Sequence, residues 1–508
     1  MTPVLLLRAR MNGGDRIAAN YCAEDARNGR RRRHGVKEDG MRAEKTAFAL
    51  FFGNRGFFPS SLMAVARKEL SEVLKGMGHK VLMLDEKATR FGAVETVKEG
   101  RVYADFLRKN RGRFGGIILS LPNFGDENGA VEALKEAGVP ILIQAYPDEL
   151  DRMRPELRRD SFCGKFSIMD VFRQHGIPFT ALKPHTVHPK SRVFSENIDL
   201  FDRICRVVTG MRDMTVGAIG ARTTPFKTVR IDELALQKYG INTETFDLSS
   251  VFVRMDAVKT SEKKAVAKAR ILGDYADWKG VPRKSFETIV KLAVVLDDMI
   301  SDNGFDAIAL RCWVEMQEIL GISPCVVLSE INNRGIPAAC EVDVGNAVTM
   351  FALSRASGNV STCLDWNNNY GDEENKCILF HCGPVPASMM KCKGRITDHA
   401  ILANLAGPGC GFGCNTGRIA SGPFTFGSML TADGKMEFYV GEGRFTDDPI
   451  PDDFFGCAGV AEIDNLQDVL QTIGYMGHRH HTSAVSGHVM RPVREAFERY
   501  LGYGVTMV

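Results

Sequence analysis

The sequence predicts an α/β protein of two doubly wound parallel-sheet domains followed by a β-rich C-terminal domain, on three observations. Short apolar runs alternate with amphipathic segments of helical length between Thr46 and Leu182. The same alternation resumes at Met214. Beyond Asp365 the texture changes to strand-like pieces cut by Gly, Asp and Pro clusters. Strands separated by helices imply crossovers and a parallel sheet covered on both faces, whereas closely spaced strands broken by turn residues imply antiparallel pairing. A chain of 508 residues exceeds one core. The expected divisions are an extension over 1–40, an α/β domain over 41–190, a second over 191–356 and the β-rich domain over 357–508.

In the first domain, Thr46–Phe52 is an apolar strand. Pro59 then opens a helix with Leu62, Ala66, Leu70 and Leu74 on one face, stopped near Gly78. Strands are expected at Lys80–Leu84, Gly116–Leu121, Pro140–Ala145 and Pro178–Leu182, and helices at Val94–Arg108, Gly129–Ala137 and Ser161–His175. The second domain starts with a strand at Met214 and continues through strands Thr243–Phe246 and Ala307–Arg311 and the long helix Lys284–Ser301. Gly217 and Gly220 lack the remaining spacing of a dinucleotide fingerprint, and a tight turn accounts for both. The third domain holds strands Lys376–His381, Ile419–Leu430 and Met436–Gly443, with a closing helix at Pro492–Leu501.

Composition narrows the partners. The net charge of +3 comes from residues 1–40, where nine Arg or Lys face five acids, leaving −1 for residues 41–508. The Arg30–Arg33 run sits in an apolar-poor stretch that reads as a solvated tail, so no nucleic-acid partner is expected. Met41, just before the first folded-looking segment, is the expected natural start. No run reaches the length of a membrane span, so no membrane partner is expected. The 13 cysteines are scattered and odd in number, which favours buried thiols in a reducing, cytoplasmic setting. Cys410 and Cys414 form half a zinc site without a second matching pair.

The chemistry-bearing stretch is Pro337–Asp365. Glu341 ends one short apolar run and Asp365 the next, with a helix over Val344–Ser357 between them whose apolar residues group on one side. A strand–helix–strand reading places both carboxylates at the carboxyl ends of neighbouring strands, where open α/β sheets collect ligands. Paired carboxylates suit a hard divalent cation and proton transfer. Four of the 11 histidines lie within 478–488, and His381 follows Asp365 by sixteen residues. Imidazole completes a carboxylate-rich site for Mn²⁺ or a similar ion. Adjacent side chains diverge, so one of His480 and His481 is expected at the metal and the other at the substrate or in support of the ligands. Chance acids at strand ends and a solvated histidine loop are the competing readings of the same residues.

CEVDV around Glu341, LDWNNNY around Asp365 and HHTSAVSGHV around His481 together resemble the L-fucose isomerase and L-arabinose isomerase superfamily, over nearly the whole of Met41–Val508. The resemblance implies metal ligands at Glu341, Asp365 and His481, with Glu341 and Asp365 as the acid/base pair of an aldose–ketose isomerisation through a cis-enediol. It implies Mn²⁺, a free sugar substrate and a homo-oligomer, a hexamer in the family. His480 stands where the L-fucose branch has Asn, and His381 matches an additional metal histidine of the L-arabinose branch. Arg55, Trp313, Trp366, Asn367, His381 and His480 are the candidate sugar contacts, Arg55 from a neighbouring subunit. A non-catalytic sugar-binding protein with a two-domain cleft and a metal-dependent hydrolase are the alternatives.

Overall fold

The computed structural model describes residues 44–223 and 225–508. The expected extension over 1–40, its arginine run and Met41 lie outside the described residues. The first sheet holds β1 (Phe48–Phe52), β2 (Val81–Met83), β3 (Gly116–Leu121) and β4 (Ile141–Ala145), all parallel in the order β2-β1-β3-β4. Strand β1 is apolar at every residue because both of its faces are covered. Phe48, Leu50 and Phe52 meet Met63 and Leu70 of the helix Ser61–Gly76 and Phe194, Ile198 and Phe201 of the helix Arg192–Met211. Ala49 and Phe51 point the other way, into a core with Tyr103, Leu107, Ile168 and Phe172.

The second sheet repeats that plan. Strands β5 (Met214–Ile219), β6 (Ile241–Phe246), β7 (Ala307–Leu310) and β8 (Ala338–Cys340) are parallel in the order β6-β5-β7-β8. Ile219, Ile308, Leu310 and Cys340 pack toward the helices Leu248–Ala257 and Arg283–Asn303, while Val216, Ala218, Ala307 and Ala309 share a core with the helix Val344–Ser357.

The remaining strands are β9 (Ser361–Asn369), β10 (Lys376–His381), β11 (Arg395–Thr397), β12 (Cys414–Arg418), β13 (Gly422–Ala432), β14 (Lys435–Phe445), β15 (Cys457–Glu462), β16 (His481–Ser486) and β17 (Gly504–Met507). Their order is β11-β12-β15-β10-β9-β16-β13-β14-β17, and β14 also pairs with β15. Six strands therefore close on themselves into a barrel. Leu364, Leu379, Phe424, Phe426, Tyr439 and Ala484 are among the residues of its core.

Three expectations are corrected. Pro178–Leu182 is not a strand: only Thr180 bridges to β4, with two ladder bonds, and the chain returns to β4 only where the Val187 N–H meets the Ala145 carbonyl. Strand β9 belongs to the barrel and β8 to the second sheet, so the two carboxylates do not sit on neighbouring parallel strands, and Asp365 lies in the middle of β9. The helix Val344–Ser357 is buried on nearly every side rather than one, because the second sheet covers it below and β9, β13 and β16 above. Among the described residues no helix is long and apolar enough to cross a membrane.

The helix Arg192–Met211 ties the layers together. Phe201 stacks on Phe48 at 5.6 Å, and Arg203 donates to the carbonyl of Ala356 at 2.9 Å at the end of the buried helix. Phe201→Ala is expected to cost about 3–5 kcal/mol, read as a lower urea midpoint with an unchanged slope.

Candidate active site

The site forms where the carboxyl ends of β7 and β8 meet the barrel strands β9 and β16. After Cys340 the chain turns through two consecutive left-handed residues, Glu341 (φ 61°) and Val342 (φ 58°). Holding non-glycine residues there costs on the order of 1–3 kcal/mol each. Asp343 then caps the helix Val344–Ser357, its Oδ1 accepting the Asn346 N–H at 3.0 Å. On the barrel side, antiparallel pairing sets His481 of β16 directly opposite Asp365 of β9.

The two halves converge on one nitrogen. His481 Nε2 lies 2.7 Å from Glu341 Oε2 and 3.3 Å from Asp365 Oδ1, and His480 Nε2 is 3.6 Å from the same Asp365 oxygen. Asp365, His480 and His481 each offer a ligand atom within 4.8 Å of the others. Glu341 Oε1 accepts the Trp313 indole N–H at 3.0 Å. On its other nitrogen, Nδ1, His481 donates to Asp343 Oδ2 at 2.8 Å. That carboxylate also takes Arg479 and the Asn346 side-chain amide, so its two oxygens are saturated by donors and it can only accept from the imidazole. Nδ1 thereby carries a proton, and Nε2 is the nitrogen turned to the two carboxylates. Gly345 permits the arrangement: a Cβ there would come within 2.5 Å of the Arg479 guanidinium.

Electrostatics follow from burial. The Asp343 carboxyl is held well below the ordinary range: burial opposes ionisation, but the Arg479 charge and the His481 hydrogen bond outweigh it. Burial pushes Asp365 up, against the charges of His381 and His481. Glu341 is drawn down despite its burial, chiefly by His481. For His481, burial lowers the affinity for a proton, yet Cys363, Glu341 and Asp343 raise it well above the usual value. The acidic groups around Nε2 therefore favour positive charge there. Glu341 Oε2 and Asp365 Oδ1 are buried with no hydrogen-bond partner, and a set of two carboxylate oxygens and one imidazole fits a hard to borderline divalent ion.

The other expected residues scatter. His381, ending β10, sits with its ring 5.6 Å from that of His481. Its Nδ1 accepts the Cys382 N–H at 3.0 Å, which leaves the ring proton on Nε2, buried and without a partner. His480 is on the open side, and both neighbouring histidines face Asp365 rather than diverging. Trp366 is not brought to the site: its indole donates to the Tyr439 hydroxyl at 3.2 Å and meets Phe426 edge-on in the barrel core, because it alternates with Asp365 along β9. Asn367 is exposed at a break in the β9–β10 register, bonded to the Asn368 side chain. Arg55 is held in the loops of the first sheet by Glu127, the Gly125 carbonyl and the Phe124 ring.

Three participants escaped the sequence reading. Asp343 stands just ahead of a helix, where an aspartate commonly caps, but nothing in its spacing marks its contact with His481. Arg479 lay inside the histidine cluster and was masked by it. Phe226, in the loop after β5, meets Trp313 and His480 edge-on at 5.4 Å each and walls the site, and no local signal marks it.

Two family models match the chain: Fucose/sulfoquinovose isomerase, N-terminal domain, over residues 49–212, and L-fucose isomerase, C-terminal domain, over residues 379–508. Together they span more than half of it. Sulfoquinovose isomerases of Priestia aryabhattai and Priestia megaterium are each 23% identical over 445 residues, covering 86% of this chain and 93% of theirs. That of Clostridium sp. (strain MSTE9) is 25% identical over 296 residues, covering 58% and 64%.

His478, beside the site strand, is half-buried edge-on against Tyr439 at 4.7 Å, with neither ring nitrogen hydrogen-bonded, and loss of solvent around it, next to Arg479, lowers its pKa to about 4. Between that value and the ordinary one near 6.5, the unfolded chain binds the extra proton, so stability falls as pH falls through this window. His478→Phe is expected to flatten the decline in melting temperature between pH 6.5 and about 4.

Proposed function

The chain belongs to the L-fucose isomerase-like family and is an aldose–ketose isomerase, and from that premise we propose that it interconverts a free aldose and its ketose through a cis-enediol, with Mn²⁺ held by Glu341, Asp365 and His481. One observation carries the residue assignment. Two carboxylate oxygens without hydrogen-bond partners and an imidazole nitrogen arrive from three distant parts of the chain and meet within 2.7 and 3.3 Å. A sugar-binding module without chemistry would need no such triple.

When bound, Mn²⁺ supplies charge that polarises the O1/O2 pair and offsets the negative charge developing there. Glu341 takes the proton from C2 and returns it at C1, and the Trp313 hydrogen bond on Oε1 holds the carboxylate in place. Asp365 carries the hydroxyl proton exchanged between O2 and O1, so the sugar keeps its atoms and electrons and only its two protons move. Asp343 is a positioning residue that keeps His481 Nε2 aimed inward. His381 Nε2–H donates to a sugar hydroxyl, His480 contacts the sugar from the open side, and the Trp313 and Phe226 rings flank its carbon face.

The relatives' names put sulfoquinovose first among candidate substrates, with L-fucose, other deoxyhexoses and pentoses beside it. The likeness to the family also supports a cytoplasmic homo-oligomer, a hexamer in its usual form.

A sugar panel assayed for ketose formation, with and without chelator, tests the reading. Activity is expected on at least one of these aldoses, lost on chelation and restored by Mn²⁺. Glu341→Gln should abolish turnover while the protein stays folded, and normal isomerisation by that variant would refute the assignment. Asp343→Asn is expected to weaken Mn²⁺ binding about 10–100-fold, measured by titration of the metal in the absence of sugar.

A further inference from the structure

Behind Glu341 lies a group of thiols that the isomerisation does not use. Cys340 ends β8, Cys325 opens the helix Cys325–Asn333, and Cys382 follows His381 at the end of β10. Cys325 and Cys340 are buried, whereas Cys382 is only partly so. Two of these sulfurs touch: the Cys325 thiol donates to Cys382 Sγ across 3.4 Å. The Cys340 sulfur lies within 4.8 Å of the Cys382 sulfur on its other side, one residue away from Glu341.

Packing alone does not call for this. A thiol is a weak hydrogen-bond donor, and an aliphatic residue fills a buried position as well. The contact instead gives the two sulfurs different roles, because it is the thiolate that attacks and the thiol that waits. Hydrogen bonds from Cys325 and then Cys340 hold the Cys382 thiol well below its ordinary value, against its burial. Cys325 is pushed well above its own by bonding to Cys382 and then Cys414. Negative charge thus settles on the partly exposed residue, with a protonated sulfur in contact behind it. A charged, accessible cysteine beside a second thiol is the arrangement that oxidants select.

We infer that Cys382 and Cys325 are a site of reversible oxidation, which a hydroperoxide closes to a disulfide and a dithiol reopens. The Cys382 sulfur attacks one oxygen of hydrogen peroxide, the O–O bond breaks, and the hydroxide released takes up a proton as water, leaving Cys382 as a sulfenic acid. The Cys325 sulfur then attacks the Cys382 sulfur. The S–O bond breaks, and the hydroxyl leaves as water with the Cys325 proton. Two thiols lose two electrons and two protons, which convert one peroxide into two waters. A covalent bond is shorter than the present contact, so closure draws Cys382 toward the helix Cys325–Asn333 and pulls on His381, its neighbour in the chain. Turnover falls as a result. That consequence rests on the isomerase reading, whereas the bond itself does not.

The test exposes the full, reduced chain to stoichiometric hydrogen peroxide, blocks the remaining thiols and maps its peptides by mass spectrometry with fragmentation. A Cys325–Cys382 crosslink is expected, with a loss of turnover that grows with the crosslink and that dithiothreitol reverses. Cys325→Ala should keep its basal turnover, form no such crosslink and leave a Cys382 sulfenic acid that dimedone captures. If that variant does not fold, the peptide map and the dithiothreitol recovery of the unaltered chain decide. Cys382 left reduced, or bonded to Cys340 instead, overturns the proposal, as does turnover unchanged once the crosslink is complete. The crosslink is read without any sugar, so its failure is distinct from a failure of the isomerase reading.

Discussion

The buried Asp343 carboxylate is the contact on which the rest of this architecture depends. It caps the helix that separates the second sheet from the barrel, pairs with Arg479 and orients His481. A charge so deeply buried is tolerable only with its partners complete, since removing one from such a pair typically costs about 3–5 kcal/mol. The same bonds that make the fold permissible therefore also aim the imidazole. Positioning and stability are one requirement here, met by one side chain.

Much of the fold was legible because its strands are covered on both faces. A parallel strand buried twice is a continuous apolar run, as in β1, or nearly one, as in β3 and β4, which carry Ser120 and Gln144, and such runs stand out without any partner being known. The buried helix Val344–Ser357 was placed at its observed ends, yet its surroundings were misread, because an apolar helix does not disclose how many neighbours it has. The helix Arg192–Met211 was overlooked although Phe194, Ile198, Phe201, Cys205 and Val208 carry its period. Barrel closure through β14 and β15 depends on contacts remote in sequence and had no local signature.

The site divides in the same way. Glu341, Asp365 and His481 could be singled out because each sits in a motif, and the structure brings the three together. Trp366 shows the limit of that method: its motif neighbour enters the pocket, but strand alternation turns the indole into the barrel core. Phe226 shows the converse, a wall residue contributed by a loop with no motif at all.

The pocket is assembled from two sources of unequal rigidity. Asp365 and His481 are fastened to each other by a barrel ladder, whereas Phe226 and Trp313 come from loops beyond the second sheet. Substitutions in those loops can reshape the wall of the pocket without moving the Asp365–His481 pair, which the ladder holds. The pocket thus has an adjustable wall set against a fixed floor, and its shape can be retuned on one side alone.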